Sequence, residues 1–285
     1  MFVIIGLIVV IVALLGGFMM AGGNPLSLIV PAEYIVIIGS AVGSLLIANP
    51  MSVIKNIISG VLGTLKGTKV NKQSYIELLQ LLYELFQFAK RDGLIALEPH
   101  IENPESSSIF TKYPTFLANH HGVVFLCDTL KVVLSGGVPA HDLEELMEID
   151  LENIHADEQI PANSLQVMAD AFPGLGIVAA VLGIIVTMGS ISEGAEAVGH
   201  HVAGALVGTF LGVLMSYGII GPIASIMNKN LDKESKYLYC IKNALLSFVK
   251  GAPATVAVEY GRRSIDPENR PSFTETEESL KRPSN

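Results

Sequence analysis

The sequence has no tryptophan, only two cysteines and few charged residues, and each shortage removes a class of protein. Asp, Glu, Lys and Arg make up 16% of the 285 residues, against about 25% in an ordinary soluble domain. Apolar side chains take their place: 50% of the chain is hydrophobic and the mean hydropathy is +0.51. That balance excludes a soluble globular protein and points to an integral membrane protein with a polar portion. Positive charge is scarce as well. The formal net charge of −9 leaves no basic face to neutralise phosphates, which argues against nucleic acid as a partner. Cys127 and Cys240 lie outside the apolar runs and fit neither a C-x-x-C nor a metal-ligand spacing, so neither a disulfide framework nor a structural zinc is expected. No Ser/His/Asp set, H-E-x-x-H or P-loop is present, and neither an enzyme nor a bound metal or cofactor is expected.

Where charge is missing matters more than how much. Residues 1–50 hold one charged side chain, Glu33, and residues 162–228 only Asp170, Glu193 and Glu196; every Lys and Arg falls in 51–161 or 229–285. Four apolar runs result, Phe2–Met20, Ala32–Asn49, Ala171–Ser190 and Val202–Met227. A helix needs about 20 residues to cross the hydrocarbon, and the second run reaches that length with Glu33 and Asn49 at the two interfaces. The loops within each pair, "AGGNPLSLIVP" and "ISEGAEAVGHH", carry no Lys or Arg, whereas Lys55, Lys66, Lys69 and Lys72 follow the second run and Lys229, Lys233 and Lys236 the fourth. The positive-inside rule places both flanks, and with them both termini, in the cytoplasm. The first run lacks a basic n-region and leads straight into the second, which predicts an uncleaved anchor and not a signal peptide.

The expected organisation is all-α: spans one and two in 1–49, a helical cytoplasmic domain in 50–165, spans three and four in 166–228, and a cytoplasmic C-terminal helix and polar tail in 229–285. In "QSYIELLQLLYELFQFAKRDG", Glu77, Gln80, Glu84, Gln87 and Arg91 recur at helical spacing as one narrow polar stripe, with Gly93 as the stop. "HGVVFLCDTLKVVLSGG" repeats the theme and ends at Gly136 and Gly137, and "PAHDLEELMEIDLENIHADEQ" starts a further amphipathic helix at Pro139. From Gly261 the chain is polar and Pro-broken, a composition that loses order toward its end. No internal repeat is visible.

"GLGIVA" at 174–179 matches G-x-G-x-x-A, a dinucleotide loop, but "NSLQVMADAFP" before it lacks strand alternation and the run after it has membrane length. A small-residue helix face accounts for more: Gly176 and Ala180 are four apart, Gly204, Gly208 and Gly212 make two consecutive G-x-x-x-G steps, and Gly39 and Gly43 another. Such spacing lets backbones approach in lipid; alone, it leaves open whether the face only packs or also lines a pathway. Pro173 and Pro222 fall at matched depth in adjacent spans and free the carbonyls of Ala169 and Gly218, a pattern for a shared hinge or constriction. Polar side chains in these spans are few, among them Thr187, Ser190, Thr209, Ser216 and Tyr217, and no mid-span acid is present. A proton relay would then need an acid from a partner. The pairs His120–His121 and His200–His201 point about 100° apart on a helix and predict solvated or interfacial rings, not a chelate. Lys90, Arg91, Asp92 and Glu98 flank the Gly93 turn, either as a solvated helix end or as a docking surface for a charged partner.

With "PAEY" at 31–34, "EPHIENP" at 98–104, "IPANSL" at 160–165, "GIVAAVLGI", "ALVGTFLGVLMSYGIIGP" and "VEYGRRS…RPSF" in order, nearly the whole chain resembles the MotA branch of the MotA/TolQ/ExbB proton channel family, the ring subunits of bacterial flagellar stators. The resemblance implies five such chains around two copies of a MotB-like partner in the inner membrane, in contact with lipid, with the partner's single span supplying the acid. It implies ion flow between spans three and four and the partner's helix, driving rotation against the rotor protein FliG. Pro173 and Pro222 match the family's pore-associated prolines, and Thr209 its span-four Thr. Glu98 matches one torque residue; Lys90 stands at the other, with Arg91 beside it, keeping the charge but not the guanidinium geometry. Ala180 stands where sodium-type relatives carry Thr, which implies coupling to H+ and not Na+. The nearest alternative is a TolQ/ExbB-like envelope motor, whose members have three spans and the cytoplasmic block after the first. A scaffold that conducts nothing is the other.

Overall fold

The structure, a computed structural model, describes residues 2–67, 70–189 and 191–281; Lys69, Ser190, the Glu193 side chain and residues 282–285 lie outside the described residues. Among the described residues there are helices and turns and no strand. In chain order the main helices are α1 (Phe2–Met20), α2 (Pro31–Ala48), α3 (Met51–Lys66), α4 (Lys72–Asp92), α5 (His120–Ser135), α6 (Ala140–Gly189) and α7 (Ala195–Val213). A π-helical segment, Leu214–Ile220, joins α7 to α8 (Gly221–Val249), followed by α9 (Ala254–Ser264) and α10 (Phe273–Lys281). The chain divides into two compact units, Met1–Gly67 with Glu158–Asn230, and Thr68–Asp157 with Leu231–Asn285.

Among the described residues, four helices or helix stretches of the first unit are apolar and long enough to cross a membrane. α1 buries no residue, so its apolar surface is left for lipid or for other chains. α2 buries one stripe, Glu33, Ile37 and Ala41, at the i, i+4, i+8 spacing of a single helix face. Ile37 and Ala41 meet Phe172 and Ala179 of α6 and Leu211 of α7 in a small core. The third span is not a helix of its own. α6 runs 50 residues through both Pro161 and Pro173. Each proline removes one backbone bond, a local loss, while Ala162, Ala169, Phe172 and Ala179 stay buried around them and hold the helix. The fourth span likewise begins at Ala195, which brings His200 and His201 onto α7 instead of into a loop. α3, unforeseen as a separate amphipathic helix, counts with this unit; its Gly60 lies under the Met227 side chain.

The second unit is built around one large helical core. α4 opens on a capping box, Asn71 and Ser74 each accepting the other's backbone N–H, and ends at Gly93 with φ +89°. It buries Leu78, Leu79, Leu81, Leu82, Leu85 and Phe86 to within 1%, each contributing roughly 1.5–3 kcal/mol. The polar stripe of α4 does more than face solvent. Glu77 accepts from the backbone N–H of Thr115 (2.7 Å) and Phe116 (3.2 Å), and Glu84 accepts from the Tyr113 hydroxyl at 2.8 Å and pairs with Lys112. α5 is capped by Asn119 and stopped by Gly136 and Gly137, both at positive φ. The polar tail is ordered further than its composition suggests: α10 packs on α4, with Gln80 donating to the Ser279 carbonyl at 2.8 Å and Lys72 paired to Glu275 at 2.7 Å. Cys127 and Cys240 are free and buried, and burial pushes the Cys127 thiol up to about 12, which keeps it unreactive.

In α9, Arg262 donates to both oxygens of Glu259 (2.6 and 2.7 Å) and Arg263 adds a bond of 2.7 Å. The Arg262 bond, with Arg263 behind it and against the cost of burial, lowers the Glu259 carboxyl to about 2. A depressed carboxyl contributes stability above its unfolded value, near about 4.3, and loses it as the pH falls toward 2. Glu259→Gln is therefore expected to lower the melting temperature of the detergent-solubilised protein at neutral pH, with the gap to the parent closing as the solution is acidified. A gap that widens in acid would contradict this.

Candidate functional site

"GLGIVA" lies within α6, far from either end of a 50-residue helix, so no strand-to-helix turn exists to hold a dinucleotide. Its second glycine has a steric task. A Cβ on Gly176 would stand 2.9 Å from the Gly208 carbonyl oxygen and 3.2 Å from Gly212 Cα; one on Gly212 would stand 2.5 Å from the Phe172 oxygen and 2.9 Å from Gly176 Cα. Here α6 and α7 touch backbone to backbone, as small residues permit in lipid. Gly204 is not part of that contact; a Cβ there would meet only Val30 Cγ1, at 3.8 Å. Gly39 and Gly43 of α2 face open space within this chain. The same spacing therefore marks a buried seam in α7 and an unoccupied face in α2.

Of the residues singled out for the pathway, Pro173, Ala180 and Thr209 lie within one turn of the seam glycines along their helices. Pro173 is half-buried one turn before Gly176, and Ala180 is half-buried one turn after it. Thr209 is half-buried, its Cα 3.3 Å from where a Gly176 Cβ would be. Thr187 is buried and donates to the Gly183 carbonyl at 2.8 Å, Ser216 is buried, and Tyr217 is 74% exposed. Pro222 is exposed and follows the π-helical segment, in which the Gly221 N–H reaches back five residues to the Ser216 carbonyl. The widened turn removes the crowding that the ring would impose on an α-helical Gly218 carbonyl. Only Pro222 is associated with such a segment; Pro173 sits in unbroken α-helix.

Glu33, expected at an interface, stands in the first turn of α2 and is buried against other helices. It is 7% exposed, with Ala179 and Gly183 of α6 and Ala205 and Gly208 of α7 around its carboxyl group. A signal existed: Glu33, Ile37 and Ala41 fall on one helix face, so the lone acid shares the stripe that packs. Asn49, at the other end of α2, is bound on both sides, donating to the Leu45 carbonyl (3.0 Å) and accepting from Ser164 (2.7 Å).

In the second unit, Lys90 and Arg91 end α4 and Glu98 opens a short helix beyond the Gly93 turn, all three exposed. Arg91 is engaged locally, bonded to Asp92 at 2.7 Å and lying 5.6 Å over the Phe88 ring. The rings of His120–His121 and of His200–His201 stand 6.1 and 6.5 Å apart and at an angle. Among the described residues no group of three His, Cys, Asp or Glu could hold a metal.

Residues 4–93 match the family described as motility protein A N-terminal, and residues 120–239 the MotA/TolQ/ExbB proton channel family. Motility protein A of Escherichia coli K12 is 37% identical over 281 residues, covering 99% of this chain and 95% of that protein. Chemotaxis protein LafT of Vibrio parahaemolyticus is 38% identical over 276 residues, covering 97% of each. Among solved structures, a chain of the flagellar MotAB stator complex from Bacillus subtilis matches with a TM-score of 0.76 over 96% of this chain and all of its own, at 24% identity, a likeness of fold.

Proposed function

The chain belongs to the motility protein A family within the MotA/TolQ/ExbB proton channel family, and from that premise we propose that it is the ring subunit of an ion-driven flagellar stator. The observation that carries this reading is near full-length identity to motility protein A at 37%. The family is one of channel and stator subunits, not of enzymes. An envelope motor of the TolQ/ExbB kind is set aside because residues 4–93 match the N-terminal family of motility protein A.

The mechanism follows from where polar groups stand. Spans three and four meet without a side chain between them at Gly176, Gly208 and Gly212, and flank the meeting with Ala180 and Thr209. A MotB-type partner with one span supplies the acid, and several copies of this chain, five by family resemblance, surround it in the inner membrane with both termini cytoplasmic. Protonation of that acid removes a charge from a low-dielectric path and changes which ring subunit it favours; repeated around the ring, this turns the ring about the partner. Ala180 offers a methyl group where a hydroxyl would help replace a sodium ion's water, which supports H+ as the coupling ion. Co-expression with the MotB-type partner in a strain lacking its own stator is expected to restore swimming, and failure with every such partner tested would contradict the reading.

Torque passes to the FliG-type rotor protein through Lys90 and Glu98. Arg91 is already neutralised by Asp92, so Lys90 presents the unbalanced positive charge. Reversing it (Lys90→Glu) should reduce swimming speed about twofold or more, and Arg91→Glu less, because opposed like charges disfavour docking. A larger loss from Arg91→Glu would exchange the two roles.

A further inference from the structure

Glu33 is left unused by the stator mechanism. It is the only charged residue in the first 50 positions, the residue is 7% exposed, and Oε2 has no hydrogen-bond partner among the described residues. Glycines on two other helices make its room. A Cβ on Gly208 of α7 would collide with Oε2 and lie 3.2 Å from Cδ, and one on Gly183 of α6 would lie 3.4 Å from Oε1. Were packing the only requirement, leucine or methionine would fill this space without an unpaired polar atom among apolar neighbours. An ionisable side chain buried among apolar helices against that cost points to ion handling.

Few groups face it. α1 has no titratable residue, and α6 has none from Ala171 to Gly189; the turn Pro25–Leu28 has none either. On α2 itself Tyr34 follows, its hydroxyl donating to the Leu28 carbonyl at 3.4 Å. α7 carries Glu196, His200 and His201 near its start, with His201 seven residues before Gly208 and so on the same face, roughly 10 Å along the axis. The π-helical segment carries only the exposed Tyr217.

We infer that Glu33 is a proton-binding group of the ring subunit, a second titrating site on the ion path besides the acid supplied by the partner. Its carboxylate takes a proton from hydronium, leaving water and a neutral carboxylic acid held in the glycine-lined cleft. The O–H bond then breaks as the proton passes to a carboxylate of the partner, and the negative charge returns to Glu33. The cleft lies beside the seam: Gly208 immediately precedes Thr209, and Ala179, whose Cβ stands 3.2 Å from the same Gly208 position, immediately precedes Ala180. The inference rests on the proton-driven stator reading above.

The test uses the full chain with its partner in a stator-less strain, recording membrane level, recruitment of a fluorescent fusion to motors, and swimming speed across external pH. Glu33→Gln keeps size and polarity but cannot titrate; it should insert and reach motors, with speed reduced about tenfold or more. Glu33→Asp and Glu33→Asn, matched in shape, isolate the proton even if shortening lowers the protein level: speed per inserted copy should be higher for Asp, with an altered pH profile. Parental speed and pH profile in Glu33→Gln, or equal speeds for the Asp and Asn variants, would overturn the inference alone. Parental rotation that stops on removal of sodium would overturn it together with the proton reading on which it rests.

Discussion

Gly212→Ala is expected to abolish motility, while Gly204→Ala leaves it near the parental level. Both are the same change in the same helix at the same G-x-x-x-G spacing, and helix propensity favours alanine at each by up to about 1 kcal/mol. Space decides between them. The Gly212 methyl would lie 2.5 Å from the Phe172 carbonyl oxygen and 2.9 Å from Gly176 Cα, both backbone atoms that cannot rotate away. α6 and α7 would have to separate, at roughly 1–3 kcal/mol or more, and the side chains flanking the seam would move with them. The Gly204 methyl meets only Val30 Cγ1 at 3.8 Å, an ordinary contact. Swimming speed and membrane level of the two variants, side by side, check the assignment. A silent Gly212→Ala would mean that the seam is looser than a backbone contact.

Phe86→Ala should destabilise the second unit by about 3–5 kcal/mol, a large part of the roughly 5–15 kcal/mol that holds a typical domain together. Phe86 is 1% exposed and stacks on Phe248 with ring centroids 4.3 Å apart and planes within 5°. The substitution leaves a cavity between α4 and α8 where neither backbone can collapse. Phe88→Ala, two residues on, removes a half-buried ring that meets His100 edge-on at 5.1 Å, and should cost far less. Thermal unfolding in detergent and protease sensitivity of α4 separate the two; equal losses would place Phe88 in the core as well.

The absence of Lys and Arg from long stretches was enough to delimit the apolar segments, because a charge in hydrocarbon is penalised wherever it points. α4 was equally legible: its polar stripe has helical period and its stop is a glycine. Continuity was not. Pro173 reads locally as a hinge, yet α6 runs unbroken from Ala140 to Gly189 through Pro161 and Pro173, since burial on both sides outweighs one lost bond per proline. Direction was hidden too. Gly39 with Gly43 and Gly208 with Gly212 are identical as patterns, and only the second pair meets another helix. Glu33 shows the same limit for polar residues: its place in the first turn of α2 suggested an interface, and its burial depends on how far α6 and α7 extend past that turn, which spacing within α2 does not encode. The family resemblance supplied what the residues alone left open at the seam, a partner's acid for a pathway that has none in spans three and four.

The most direct test of a proton-driven stator is the rotation speed of tethered cells carrying this chain and its MotB-type partner as their only stator, in sodium-free medium, before and after a protonophore is added. The account predicts steady rotation without sodium that stops when the proton gradient is collapsed. Rotation that ceases on removing sodium alone, and persists with the protonophore when sodium is present, would contradict it.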